Sequence, residues 1–235
     1  MKNILAVIPA RAGSKRLPGK NMKLLNGNPM IYYTIKSAKD SGIFKKICVA
    51  TDSKKIAKFC EEHEIDVPVL LPQSLAGDDV SSMEACIYIL EYLEKQGENY
   101  ESLFCLQPTS PLRNTEDIIK VKDLLYNYLD TEHVITITLI DPHEFHWALK
   151  KQGDYIEPFF GDKFVKERIY LPEIYRPNGA VKAAFTEIIK KQRTFMNSKK
   201  VKGVLMPPER SIHVGNLFDF KLAEFLLKNR TIPKI

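Results

Sequence analysis

No stretch of this chain reaches the ~20 consecutive apolar residues that a membrane-spanning helix needs. Met1-Lys2-Asn3 runs directly into a short apolar strand pattern instead of a leader peptide. The expectation is a cytoplasmic protein with no membrane partner. Cysteine is scarce, and Cys48, Cys60, Cys86 and Cys105 lie inside apolar segments without CxxC spacing. That spacing argues against a disulfide framework and for reduced, buried thiols without assigned chemistry. Internal repeats and low-complexity tracts are absent as well. So are two familiar phosphate-binding signatures. No GxGxxG follows the first strand, which removes the dinucleotide fingerprint. The Walker A pattern is a near miss, because Gly13 and Gly19 enclose five residues instead of four and Asn21 follows Lys20 where Ser or Thr belongs.

What is present is positive charge. The formal net charge is +6 and the pI about 9.0. The lysine pairs beginning at Lys45, Lys54, Lys150, Lys190 and Lys199 are scattered along the chain, whereas a nucleic-acid binder gathers them on one face. A basic surface that draws in small anions, with no nucleic-acid partner, explains the balance. The densest cations stand in Ile8-Pro-Ala-Arg-Ala-Gly-Ser-Lys-Arg-Leu-Pro-Gly-Lys-Asn21, immediately after the apolar run Ile4–Ile8. Gly13, Pro18 and Gly19 bend the backbone so that N–H groups can converge on an anion, and Arg11, Lys15, Arg16 and Lys20 supply charge. A solvated basic loop is the plainer reading. Its place at the carboxyl end of a strand, where open α/β sheets bind ligands, favours a polyphosphate.

With 235 residues and 44% hydrophobic content, one substantial core and a single domain over 1–235 are expected. Apolar runs alternate with helical patterns. Ile4–Ile8 precedes a helix that Asn28 caps, with Pro29 at its first position and Gly42 closing it. Ile47–Ala50 precedes a helix from Ser53 to His63, and Val67–Leu71 precedes one opened by Ser81-Ser82-Met83-Glu84, which reads as a capping box. Leu103–Leu106 and Val134–Leu139 flank a helix capped by Asn114. After residue 177 come strand Ala180–Phe185, helix Thr186–Gln192, strand Val201–Leu205 and helix Phe218–Leu227. This alternation predicts an α/β protein with a doubly wound, mostly parallel sheet. Between Asp141 and Pro177 the pattern breaks into aromatic and charged sequence, including Phe145, Trp147, Tyr155 and Phe159. So long an excursion needs stabilising from outside the core.

The string from Ile8 to Asn21, Ala50-Thr-Asp-Ser53, Leu106-Gln-Pro-Thr-Ser-Pro-Leu-Arg113 and Tyr175-Arg-Pro-Asn-Gly-Ala-Val181 together resemble the acylneuraminate cytidylyltransferases, in the same order and over nearly the whole chain. The resemblance implies a Rossmann-like nucleotidyltransferase sheet with 141–177 as a dimerisation arm, hence a homodimer. It implies that CTP and a 2-keto nonulosonic acid, of the sialic, legionaminic or pseudaminic kind, yield CMP-sugar and pyrophosphate. Arg11 and Lys20 match catalytic triphosphate contacts, and Ser14, Lys15, Asn21, Ser81, Ser82 and Asn178 match nucleotide contacts. Ser81 and Ser82 are equally explained as helix caps, and the Asn178-Gly179 pair as a hairpin turn. Gln107 and Arg168 match sugar contacts, with Arg168 on the arm serving the neighbouring subunit. Two alternatives stand beside this reading: a CMP-KDO synthetase, disfavoured by Gln107-Pro-Thr-Ser, and a nucleotide-binding homologue with impaired catalysis.

Two departures accompany the resemblance. Leu71 stands where many relatives carry an arginine that reads cytosine. His213 and Gly215 stand where the family holds its metal with a pair of aspartates, leaving only Asp219 at a later acidic position. The ligands of any metal are therefore unassigned. The expected cofactor is a divalent cation, Mg2+ or Mn2+, held mainly by CTP phosphates, with His213 donating to phosphate or binding a softer ion.

Overall fold

The first apolar run forms β1 (Ile4–Pro9), and its alternate side chains enter two different cores. Ile4, Ala6 and Ile8 face one side, and Leu5 and Val7 the other. A strand buried on both faces must be covered on both, which is the condition for helices on either side of a sheet. The computed structural model describes residues 2–77, 80–161, 172–196 and 199–229. After β1 come β2 (Leu24–Leu25), β3 (Asn28–Pro29), α1 (Met30–Ser41), β4 (Lys46–Ala50), α2 (Lys54–Glu62), α3 (Gln73–Ala76), α4 (Ser82–Lys95), β5 (Ser102–Leu106), α5 (Thr115–Asn127) and β6 (His133–Ile140). The excursion then contributes α6 (Pro142–His146), β7 (Leu149–Gln152) and β8 (Tyr155–Pro158). The chain returns through β9 (Ile174–Phe185), α7 (Thr186–Gln192), β10 (Val201–Leu205) and α8 (Leu217–Lys228).

The central sheet has six strands in the order β10-β6-β9-β5-β1-β4. β1 runs parallel to β4 and β5, β10 runs parallel to β6, and β9 alone runs antiparallel to both of its neighbours. Ile31 and Ile35 of α1 and Ile118 and Val121 of α5 fill one face, while Ile87, Ile89 and Leu90 of α4 fill the other. The mostly parallel, doubly covered sheet is thus present. No helix among the described residues is long and apolar enough to cross a membrane. The four cysteines are buried and unpaired, and burial pushes the Cys48 and Cys60 thiols up to about 12. Those two thiols stay protonated at neutral pH.

Several local expectations are corrected. Asn28 does not cap α1; Leu25 pairs with Asn28 and Leu24 with Pro29 in a miniature hairpin, so the helix starts at Met30. Val67–Leu71 is not a strand, although Leu71 donates its N–H to the Thr51 carbonyl at 2.8 Å. Ser81 stands at the head of α4 without a side-chain cap: Glu84 N–H donates to the Ser81 carbonyl at 3.1 Å instead of its hydroxyl, and the Glu84 carboxylate pairs with Arg193. Within the excursion, where the sequence shows no helical period, β7 and β8 form an antiparallel hairpin. Arg168 lies outside the described residues.

Candidate active site

The strand β1 ends at Pro9, and the backbone is then steered by three hydrogen bonds. Ala10 N–H donates to the Ala50 carbonyl at 2.8 Å, Ala12 N–H to Asp52 Oδ1 at 2.7 Å, and Asn21 Nδ2 to the Arg11 carbonyl at 3.0 Å. Asp52 therefore anchors the cationic loop, a role for the Ala50-Thr-Asp-Ser53 motif that residue type alone did not disclose. Leu17 pins the middle of the loop by packing with Leu25, Leu112, Val214 and Phe220. Gly19, at φ +64°, turns the chain left-handed into the short 3-10 helix Lys20–Met22, a conformation that glycine adopts without strain. These constraints leave the polar side chains nowhere to go but a cleft.

That cleft, of about 400 Å³, is lined by Arg11, Lys15, Arg16 and Lys20, by Ser14 and Asn21, and on its far wall by Ser81, Ser82, Gln107 and His213. Among the described residues no carboxylate lines it. Four cations converging on one concavity are suited to an anion of high charge. Their mutual repulsion is visible in Lys20, whose pKa is lowered by burial first and then by Arg16 and Arg11. Asn21 is buried, and its Oδ1 has no protein partner, so it retains an acceptor. Ser81 and Ser82 bring the amino end of α4, with its partial positive charge, to the same cleft.

The far wall is built around Gln107, just beyond β5. Its Nε2 donates to Ser82 Oγ at 3.4 Å, and its Oε1 accepts from Thr109 Oγ1 at 3.4 Å. Beneath it lies the buried guanidinium of Arg113, which donates to the carbonyls of Ala180 at 2.6 Å and Gln107 at 3.3 Å. Burial lowers the Arg113 pKa to about 10, and it remains charged at neutral pH. Arg113 thus ties the Gln107 loop to β9.

Asn178 was expected at a nucleotide, and it sits elsewhere. Its Nδ2 donates to Ser211 Oγ at 2.9 Å, and its Oδ1 accepts from Thr136 Oγ1 at 2.6 Å and Ala180 N–H at 3.1 Å, all out of solvent. The side chain stabilises an irregularity in the β6–β9 ladder between Ile135 and Ile137. That irregularity presents Gly179, at φ +76°, to the cleft wall: a Cβ there would stand 3.1 Å from Gln107 Oε1 and 3.5 Å from His213 Nδ1. Leu71 packs in the core beside Met83.

The positions implied for a metal do not fit one. His213 Nδ1 lies 3.3 Å from Thr109 Oγ1, and burial, with Lys20 and Arg16 next, lowers the His213 pKa to about 4. Gly215 has no donor. Asp219 Oδ2 accepts from the N–H groups of Gly215 at 2.8 Å and Asn216 at 3.1 Å, as part of the capping box of α8. Magnesium prefers oxygen ligands, and the carboxylate at these positions, Asp219, already has one oxygen held by two amides. Among the described residues no group of three metal-ligating side chains is found.

Against known proteins, residues 5–158 match a family described as Cytidylyltransferase. The chain is 34% identical over 229 residues to the CMP-N,N'-diacetyllegionaminic acid synthase of Legionella pneumophila subsp. pneumophila, covering 96% of both. It is 33% identical over 219 residues to the N-acylneuraminate cytidylyltransferase of Streptococcus agalactiae serotype V, covering 92% of this chain and 51% of that longer one. In structure it is similar to a CMP:2-keto-3-deoxy-manno-octonic acid synthetase solved in complex with CTP. The TM-score is 0.73 at 15% identity, over 97% of this chain and 100% of that one, a likeness of fold.

Proposed function

The chain belongs to the cytidylyltransferase family, and from that premise we propose that it joins CTP to a nonulosonic acid, releasing pyrophosphate and forming a CMP-sugar. The observation that carries this reading is the convergence of Arg11, Lys15, Arg16 and Lys20 on one cleft, closed on its far wall by Gln107. In the proposed step the anomeric hydroxyl oxygen of the sugar attacks the α-phosphorus of CTP. The bond from that phosphorus to the bridging oxygen breaks, pyrophosphate leaves with the electron pair, and the hydroxyl proton passes to water. Little covalent work falls to the protein, so positioning and fixed positive charge supply the catalysis. Lys20, half-buried among Arg11 and Arg16, holds its charge where the pyrophosphate gains negative charge. Asn21 and the serines at the head of α4 orient the nucleotide, and Gln107 the sugar.

The working unit in this proposal is a homodimer built on the 141–177 excursion. The supporting feature is its apolar exposure, with Tyr155 82% and Ile156 68% accessible on the β7–β8 hairpin. The decisive experiment is pyrophosphate release from CTP with a panel of N-acetylneuraminic, legionaminic and pseudaminic acids and KDO. Turnover with a nonulosonic acid is expected. Preference for KDO would favour the eight-carbon alternative, and CTP binding without turnover on any acid would identify an impaired homologue.

A further inference from the structure

We propose that Arg16 grips the β- and γ-phosphates of the nucleotide in the space where a metal-bearing carboxylate would stand, so that the site works without a protein-held divalent cation. This rests on the nucleotidyl-transfer reading and deepens it.

The geometry at Gly215 carries the argument. A Cβ at that position would lie 3.4 Å from Arg16 Nη1, 3.7 Å from Arg16 Cζ and 3.3 Å from Asp219 Oδ2. An aspartate there would place its carboxylate against the guanidinium and neutralise it by an ion pair. Glycine leaves the guanidinium clear, and Arg16 is exposed and paired with no carboxylate among the described residues. The neighbouring carboxylate, Asp219, has one oxygen committed to two backbone amides that cap α8. Turning that oxygen to a metal would open the carboxylate half of the capping box, leaving only the Asn216 side chain on the helix end.

Charge leads to the same conclusion. Arg16 and Lys20 line the cleft and both act on His213, and a divalent cation seated beside them on protein ligands would meet repulsion at short range. Fixed cations such as Arg16 and Lys20 can instead face a triphosphate directly, and a guanidinium fork suits adjacent phosphate oxygens better than a point charge. As the α-phosphorus–oxygen bond breaks, the N–H donors of Arg16 face the pyrophosphate that gains the electron pair, and no proton leaves the guanidinium. Any divalent cation that enters is carried by the nucleotide's own phosphates.

Two measurements on the full chain test this. Electron paramagnetic titration with Mn2+ alone is expected to show no protein-bound ion, while a His213→Asp/Gly215→Asp variant gains one. Calorimetry in EDTA is expected to show CTP binding by the wild type. Replacement Arg16→Gln, on an exposed loop, should then weaken CTP by roughly 10- to 100-fold, the worth of charge-assisted hydrogen bonds. CMP, which lacks the outer phosphates, should change by less than about threefold. Tight Mn2+ binding by the wild type alone, CTP binding only when Mn2+ is added, or unchanged CTP affinity in Arg16→Gln each overturns the inference. Failure to bind CTP under either condition would instead remove the nucleotide reading, and this inference with it.

Discussion

Lys20 and Arg11 are placed by backbone hydrogen bonds and one buried leucine, yet their side chains make the cleft's charge. Lys20→Ala and Arg11→Ala should each lower kcat/KM by at least ~100-fold, because each removes charge where it develops in a partly desolvated site. Steady-state kinetics beside urea unfolding checks this, and altered stability with normal kinetics would mean the loop is only structural. His213 gives a pH test whose sign is fixed by its environment. Its folded pKa is about 4 against 6.5 when exposed, so between those values the unfolded chain binds the extra proton. Stability from this group is complete above the higher value and is lost as pH falls toward the lower one, by on the order of 1–3 kcal/mol. Urea midpoints from pH 7 to pH 4 should show that component in the wild type and lack it in His213→Asn. With that depression a neutral imidazole at pH 7 is expected, and activity should then show no loss as pH rises through the usual histidine range. Residue type disclosed the cationic loop because spacing and charge are local. It could not disclose the duties of Asp52, Arg113 or Asn178, whose partners lie 40, 67 and 42 positions away.

Among the elements, caps were legible where cap and helix are adjacent: Ser53 accepts from Ile56 N–H and Asn114 closes a full capping box on α5. The Ser81 box is missing on both sides: Glu84 N–H turns to the Ser81 carbonyl, and the Glu84 carboxylate turns to Arg193, 109 residues away. Helical and strand periods fixed where β1, β4, β5 and β10 lie to within a residue or two, but period carries no direction, and the antiparallel course of β9 was invisible to it. The irregularity in β9 has a measurable use. Gly179→Ala would strain a left-handed backbone by about 1 kcal/mol and push a methyl group to within 3.1 Å of Gln107 Oε1. The expected outcome is a stability loss of that size with a KM for the sugar raised well beyond its effect on CTP, because Gln107 must turn. Equal effects on both substrates would show that Gln107 does not read the sugar.

At the scale of the whole molecule, the hairpin β7–β8 extends from the end of β6 with Leu149, Tyr155 and Ile156 exposed. Ile156 and Leu149 share one face of the hairpin and Tyr155 stands on the other, and exposed apolar side chains on both faces are what the proposed dimer would cover. Sedimentation should therefore give a dimer at micromolar concentration, and Tyr155→Glu with Ile156→Glu should shift it to monomer with a large loss of activity. A fully active monomeric wild type would remove the arm from the mechanism. The central sheet also imposes an order in time. β5 and β6 leave the ribosome early, yet they do not touch each other, for both pair with β9, which begins at Ile174. The half of the sheet built from β4, β1 and β5 and the half built from β6 and β10 can join only after that late strand is made. Until then the unpaired edges of β5 and β6 are open to other nascent chains. A chain truncated before Ile174 should show no cooperative thermal transition and should bind molecular chaperones, so that translation past this strand, and not the completion of the cationic loop, is the commitment step in biogenesis.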